Sequence, residues 1–185
     1  METKNKKLKI YAGMLLIAAA VFGLDQWSKL WIRNHLALRE SITPIPALGN
    51  FFRIIHWKNT GIAFGLFQGN GWILTTIGIV IVIGIILFSA KITDGPAFWH
   101  VAMAMELGGA LGNLADRINP ELGYVVDFIW IGDFPVFNLA DAAIVIGAAV
   151  LVIGMWRQEK NEKTLREQEC AENSVSDGHG ETDEL

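Results

Sequence analysis

The stretch "YVVDFIWIGDFPVFNLAD", residues 124–141, carries Asp127, Asp133 and Asp141 in otherwise apolar surroundings. Two carboxylates held close together cannot both ionise easily, so one keeps a proton. The charged member of such a pair can activate water while the neutral one protonates or polarises an amide carbonyl. That is aspartic peptide hydrolysis, and it requires no metal. Asp127 and Asp141 can meet if residues 128–138 form a loop that folds back, a turn that Gly132 and Pro135 permit. Asp141 then falls in the first turn of a helix, where the helix dipole favours an anion. Asp133 reads as a solvated loop acid.

Other chemistries find little support. The histidines His35, His56, His100 and His179 are scattered, there is no HExxH, and Cys170 is the only cysteine, so no metal or cofactor is expected. Ser28, Ser41 and Ser89 are the serines outside the tail, and none lies in a GxSxG elbow. Asp25 and Lys29, four apart, share a helix face and read as a charge pair that anchors and orients the helix. Asp116 and Arg117 admit two readings, an ion pair or a grip on a ligand carbonyl or headgroup. Glu106 is an isolated ionisable residue inside an apolar segment, a functional hypothesis by default that pairing across helices could also satisfy. His100 reads as interfacial.

These residues must be positioned by membrane helices. Of 185 residues 52% are hydrophobic and only 18% charged, against about a quarter charged in soluble domains. A bilayer core requires about 20 mostly apolar residues in a helix. Four segments approach this, at residues 10–32, 71–90, 97–115 and 139–156, predicting an all-α, four-span membrane protein. Residues 10–32 could instead be a secretory signal peptide, but apolar residues continue through Trp31 and Ile32, past any cleavage point. Lys4, Lys6, Lys7 and Lys9 precede the first span, and Arg157, Lys160, Lys163 and Arg166 follow the last. Both termini are therefore expected in the cytoplasm, although Arg33, Arg39, Arg53 and Lys58 fall in the proposed outer segment. "KITDGP" reads as the cytoplasmic turn between the second and third spans. Residues 33–70 and 116–138 then meet on the outer face, the former with β-branched and aromatic residues that suggest short strands. Residues 1–9 form a basic N-terminus, and residues 158–185, rich in charge and poor in apolar residues, read as a disordered tail. Nothing suggests a nucleic-acid partner.

Five blocks in this order resemble the lipoprotein signal peptidase (signal peptidase II) family: "DQWSK" (25–29), "NTGIAFGLF" (59–67), "GGALGNLADR" (108–117), "YVVDF" (124–128) and "FNLADAAI" (137–144). The resemblance spans residues 8–157 and implies an inner-membrane aspartic endopeptidase of bacteria with Asp127 and Asp141 as its catalytic dyad. It implies that Asn59, Gly61, Asn113, Asp116, Arg117, Asn138 and Ala140 line or support the site, with Asp25 and Lys29 structural. The implied substrate is a prolipoprotein whose cysteine carries a diacylglyceryl group, cleaved immediately before that cysteine at the extracytoplasmic face. The implied inhibitor is the cyclic peptide globomycin. Membrane lipids are the remaining partners, and a monomer is expected. Two departures stand out: a short segment between the aspartates, and Glu106 where an apolar residue is expected. The rival readings are a proton- or ion-coupled transporter, whose acids would sit near the midplane of repeated halves, and a scaffold whose acids merely anchor helices.

Overall fold

The computed structural model describes residues 2–49, 51–61, 71–92 and 95–177. Four helices dominate: α1 (Glu2–His35), α2 (Gly71–Ser89), α3 (Ala97–Ile118) and α4 (Leu139–Asp177). Three strands, β1 (Ser41–Ile42), β2 (Phe52–Asn59) and β3 (Val125–Ile131), form one antiparallel sheet in the order β1-β2-β3. Among the described residues, three segments are long and apolar enough to cross a membrane: Asn5–His35, Gly71–Ser89 and Leu139–Gln168.

The segment expected as the third span is α3, and it falls outside that apolar set. Its position explains its composition. It packs against α1, α2 and α4, and Ala102, Met103, Ala104, Gly108, Gly109, Ala110 and Gly112 are buried along it. A helix enclosed by three others meets side chains instead of lipid, so small and polar residues replace Leu and Ile. The glycines set the helix spacing. A Cβ on Gly108 would stand 2.6 Å from the Ala18 carbonyl oxygen of α1, and one on Gly109 2.5 Å from that of Ala140 in α4. Both obstacles are backbone, which cannot rotate away. Gly109→Ala is therefore expected to push α4 off α3 and cost about 1–3 kcal/mol, read as a lower unfolding temperature in detergent; a melting point unchanged from wild type would contradict this close packing.

The sheet sits over the C-terminal end of α1. Val126 and Phe128 of β3 pack against Ile32 of α1 and Leu36 just past its end, with Ile54 and Leu139 around them. β-Branched and aromatic residues fill β3, as a half-buried pleated surface favours. Strand β2 carries one extra residue relative to β3: Ile54 pairs with Ile129, but Trp57 pairs with Asp127. This bulge reverses which side chains of β2 face the site, because a one-residue slip moves every side chain to the opposite face. His56, within it, is bound through its backbone to Arg39 and Glu40 and through Nδ1 to the Leu36 carbonyl.

The structure revises several expectations. Strand β3 runs to Ile131, so the expected loop over 128–138 shrinks to a turn that starts at Gly132, whose φ is +51°. Phe137 returns to bridge Ile129. Helix α1 begins at Glu2, within the proposed N-terminal flank, and continues through His35. The tail expected to be disordered from residue 158 is helical through Asp177. Its charges suit an exposed helix: Glu159 pairs with Lys163 at 2.7 Å, and Gln158 donates to Glu162. Residues 62–67 of the "NTGIAFGLF" block and 93–94 of the "KITDGP" turn lie outside the described residues, as do residues 178–185.

Candidate active site

Asp127 lies on β3 and Asp141 in the first turn of α4. Both line one cavity of about 1060 Å³, whose walls include Trp57, Trp130, Phe137 and Val145. The return of Phe137 to Ile129 brings Asn138 beside Asp127. Asn138 then caps α4: its Oδ1 accepts from the Asp141 backbone N–H at 2.9 Å, while the Asp141 carboxylate accepts from the Asn138 N–H at 3.3 Å. This is a reciprocal capping box built from asparagine and aspartate.

Three asparagines hold the aspartates, and each amide is oriented by a donor on its carbonyl oxygen. Asn138, turned by the Asp141 N–H, donates from Nδ2 to Asp127 Oδ1 at 2.7 Å. Asn59, turned by the Gly61 N–H, donates to Asp127 Oδ2 at 2.8 Å. Asn113, turned by the Lys29 ammonium at 3.0 Å, donates to Asp141 Oδ1 at 2.7 Å. An amide has one acceptor side and one donor side, so fixing the first aims the second. Asn59 sits opposite Val125, which makes Asp127 its diagonal neighbour on the same sheet face, reached only because of the bulge.

Behind this layer Asp25, Lys29 and Asp116 form a buried charge cluster. Lys29 Nζ lies 2.8 Å from Asp25 Oδ2 and 3.1 Å from Asp116 Oδ2. Asp25 Oδ1 accepts from the Ala140 N–H at the start of α4, and Asp116 Oδ2 from the Val126 N–H of β3. Asp116 therefore takes Lys29 as its ion partner, and the alternative of an Asp116–Arg117 pair gives way. Arg117 lines the cavity, within reach of the charges of Asp141, Asp127 and Asp116.

Asp127 is 1% exposed. Its burial, and after it the neighbouring charge of Asp141, push its carboxyl up to about 7 despite the amides of Asn59 and Asn138. At neutral pH it is thus poised to hold a proton. Asp133 is exposed on the turn, apart from the pair. Among the described residues no three His, Cys, Asp or Glu side chains converge as metal ligands would.

Some contributors had no signal in the sequence. Gln26 donates to Asp25, to Asp116 and to the Gly112 carbonyl, stitching α1 to α3. Three of the basic residues of the outer segment rest on aromatic faces, Arg39 over Trp57, Arg53 over Trp130 and Lys58 over Tyr124.

Apolar helices around a pocket that holds two neighbouring carboxylates make a membrane protein with a candidate active site. Two solved structures described as bacterial membrane enzymes share the fold. One, at 2.3 Å resolution, has a TM-score of 0.70 and 32% identity, covering 81% of this chain and 91% of that one. The other, at 1.9 Å, has a TM-score of 0.66 and 33% identity, covering 78% and 92%. The sequence profile of Signal peptidase (SPase) II matches residues 17–157. The lipoprotein signal peptidase of Anoxybacillus flavithermus is 36% identical over 152 residues, covering 81% of this chain and 89% of that protein. That of Halothermothrix orenii is 37% identical over 145 residues, covering 78% and 96%, and that of Moorella thermoacetica 40% over 139, covering 74% and 88%. The chain belongs to the signal peptidase II, or lipoprotein signal peptidase, family. It is accordingly a membrane peptidase of lipoprotein signal-peptide cleavage.

Proposed function

We propose that the chain is an aspartic endopeptidase that cleaves diacylglyceryl-modified prolipoproteins immediately before the lipidated cysteine, with Asp127 and Asp141 as its dyad. The observation that carries this reading is the pair of carboxyls in one cavity, each held by an asparagine amide whose orientation is fixed from behind. Asp127 keeps the proton, and Asp141 takes one from water as its oxygen attacks the scissile carbonyl carbon. Asp127 meanwhile gives its proton to the carbonyl oxygen. In the second half Asp127 recovers a proton from the tetrahedral centre and Asp141 passes one to the departing nitrogen as the C–N bond breaks. Arg117 and Asn59 face the space where the substrate backbone would lie, and Gly61 and Ala140 keep their surroundings narrow.

In this reading α3 is the fourth crossing helix. Its 22 residues reach about 33 Å, the thickness of a bilayer core. The outer end of α1 meets the start of α4 through Asp25 and Ala140. The lysines in the first turns of α1 and the basic residues after Trp156 therefore belong to the opposite end of the bundle, which supports cytoplasmic termini and a site at the extracytoplasmic face of the inner membrane. Such a location suits a substrate whose lipid stays in the bilayer while its peptide bond meets water. The reading extends to inhibition by globomycin and to action as a monomer.

The deciding experiment supplies the purified protein with one prolipoprotein in diacylglyceryl-modified and unmodified forms. Cleavage of the modified form alone, before its cysteine, unaffected by a chelator and blocked by globomycin, is the expected result. Equal cleavage of both forms, or loss of activity on chelation, would overturn it.

A further inference from the structure

The site makes no use of Glu106. Seven residues, two helical turns, separate it from Asn113, and another seven separate it from Trp99, so the three share one face of α3. That face looks into the trough between α2 and α4, which pack on α3 from either side and hardly on each other. A second cavity of about 330 Å³ lies in the trough, walled by Ile81, Ile85 and Phe88 of α2, Trp99 of α3 and Leu151 of α4, with Glu106 as its one ionisable lining residue. Gly147 makes room for the glutamate: a Cβ there would stand 3.0 Å from Glu106 Cγ. Among the described residues Glu106 has no hydrogen-bond or ion-pair partner.

A carboxyl facing an apolar trough in mid-membrane is costly unless something arrives to meet it. Asn113, two turns above on the same face, holds Asp141, so Glu106 lies about 10 Å below the level of the dyad along α3. If the chain cleaves membrane-held prolipoproteins, the apolar segment upstream of the scissile bond must descend from the dyad into the bilayer. We infer that the α2–α4 trough seats this segment, and that Glu106 is a specificity residue that hydrogen-bonds a serine or threonine hydroxyl on it. The inference rests on the proposed peptidase reading. The hydroxyl donates to the carboxyl or accepts from it, and an all-leucine segment leaves the carboxyl unmet. With substrate in an extended stretch at the cleaved bond and helical below it, the contact falls about three to seven residues upstream.

The test uses the full chain in phosphatidylethanolamine–phosphatidylglycerol vesicles and diacylglyceryl-modified prolipoproteins differing at one position, serine against leucine, scanned over that window. An intramembrane hydrogen bond predicts a preference of about three- to thirtyfold for serine at one position, expressed in KM more than in kcat. Glu106→Gln, which still hydrogen-bonds, is expected to retain the preference, and Glu106→Leu to lose it. A flat wild-type profile, or an unchanged profile in Glu106→Leu, overturns the inference and leaves the peptidase reading standing. If wild type cleaves no substrate in the series, the peptidase reading fails and takes this inference with it.

Discussion

Asp127→Asn and Asp141→Asn are each expected to lower the rate of prolipoprotein cleavage by at least about a thousandfold, with the protein still inserted and folded. A positioned acid or base contributes about a hundred- to ten-thousandfold, and here each carboxyl serves once as acid and once as base. The asparagine of either variant can do neither. The pH dependence separates their roles. Activity requires one proton on the pair, so it falls as the pH rises through about 7 and Asp127 empties, the titration belonging to the pair as a unit. Stability follows with the opposite logic to a salt-bridged carboxylate. Because the folded carboxyl holds its proton up to about 7, against 3.8 ordinarily, the native state binds more protons than the unfolded chain between those values. Stability is then lost as pH rises from about 4 to 7, and Asp127→Asn removes that slope. Melting curves across this range check it; a wild-type curve that is flat there, or an Asp127→Asn enzyme with ordinary turnover, would refute the assignment of the proton to Asp127.

What the sequence disclosed depends on how local each signal was. The uncharged run of α2 and the start of α4 at Leu139 were legible because apolar length and a capping residue are local. The approach of Asp127 to Asp141 was legible as well, since a single turn joins them. The asparagine layer could be suggested only by family resemblance, because Asn59 faces Asp127 through a bulge that no pattern in "FRIIHWKN" announces. The ion partner of Asp116 was not legible at all: Lys29 lies on another helix, and a helix's own neighbours, such as Arg117, look equally good on paper. Helix α3 misleads for a related reason. Its glycines and Glu106 depress its apolar character, yet the glycines are what a helix packed against three others can carry. The tail shows the limit of composition, which reports that residues 158–177 cannot build a core but not that their Glu, Lys, Gln and Arg can sustain a helix.

Lys29→Met is expected to produce the largest loss of stability of any single change described. The ammonium has three hydrogens and three acceptors, Asp25 Oδ2 at 2.8 Å, Asn113 Oδ1 at 3.0 Å and Asp116 Oδ2 at 3.1 Å, and is 2% exposed. Replacing a buried ion pair outright can be neutral, but removing one partner strands the other, at about 3–5 kcal/mol. Here two carboxylates are stranded, and they also hold the first turn of α4 and the backbone of β3. The expected drop in melting temperature is roughly 10 °C. Adding Asp25→Asn to Lys29→Met should recover part of it, since one stranded charge disappears, so the two losses should be less than additive. Activity should fall further than stability alone explains. With Lys29 gone, the Asn113 carbonyl keeps only the Asn138 amide at 3.1 Å, and the amide that donates to Asp141 at 2.7 Å is held less firmly. A folded Lys29→Met enzyme measured well below its melting point would then show reduced kcat with a displaced pH profile. A melting point within two or three degrees of wild type would mean that the charge cluster does not hold the three helices and the sheet together, and a normal pH profile that Lys29 does not act on the dyad through Asn113.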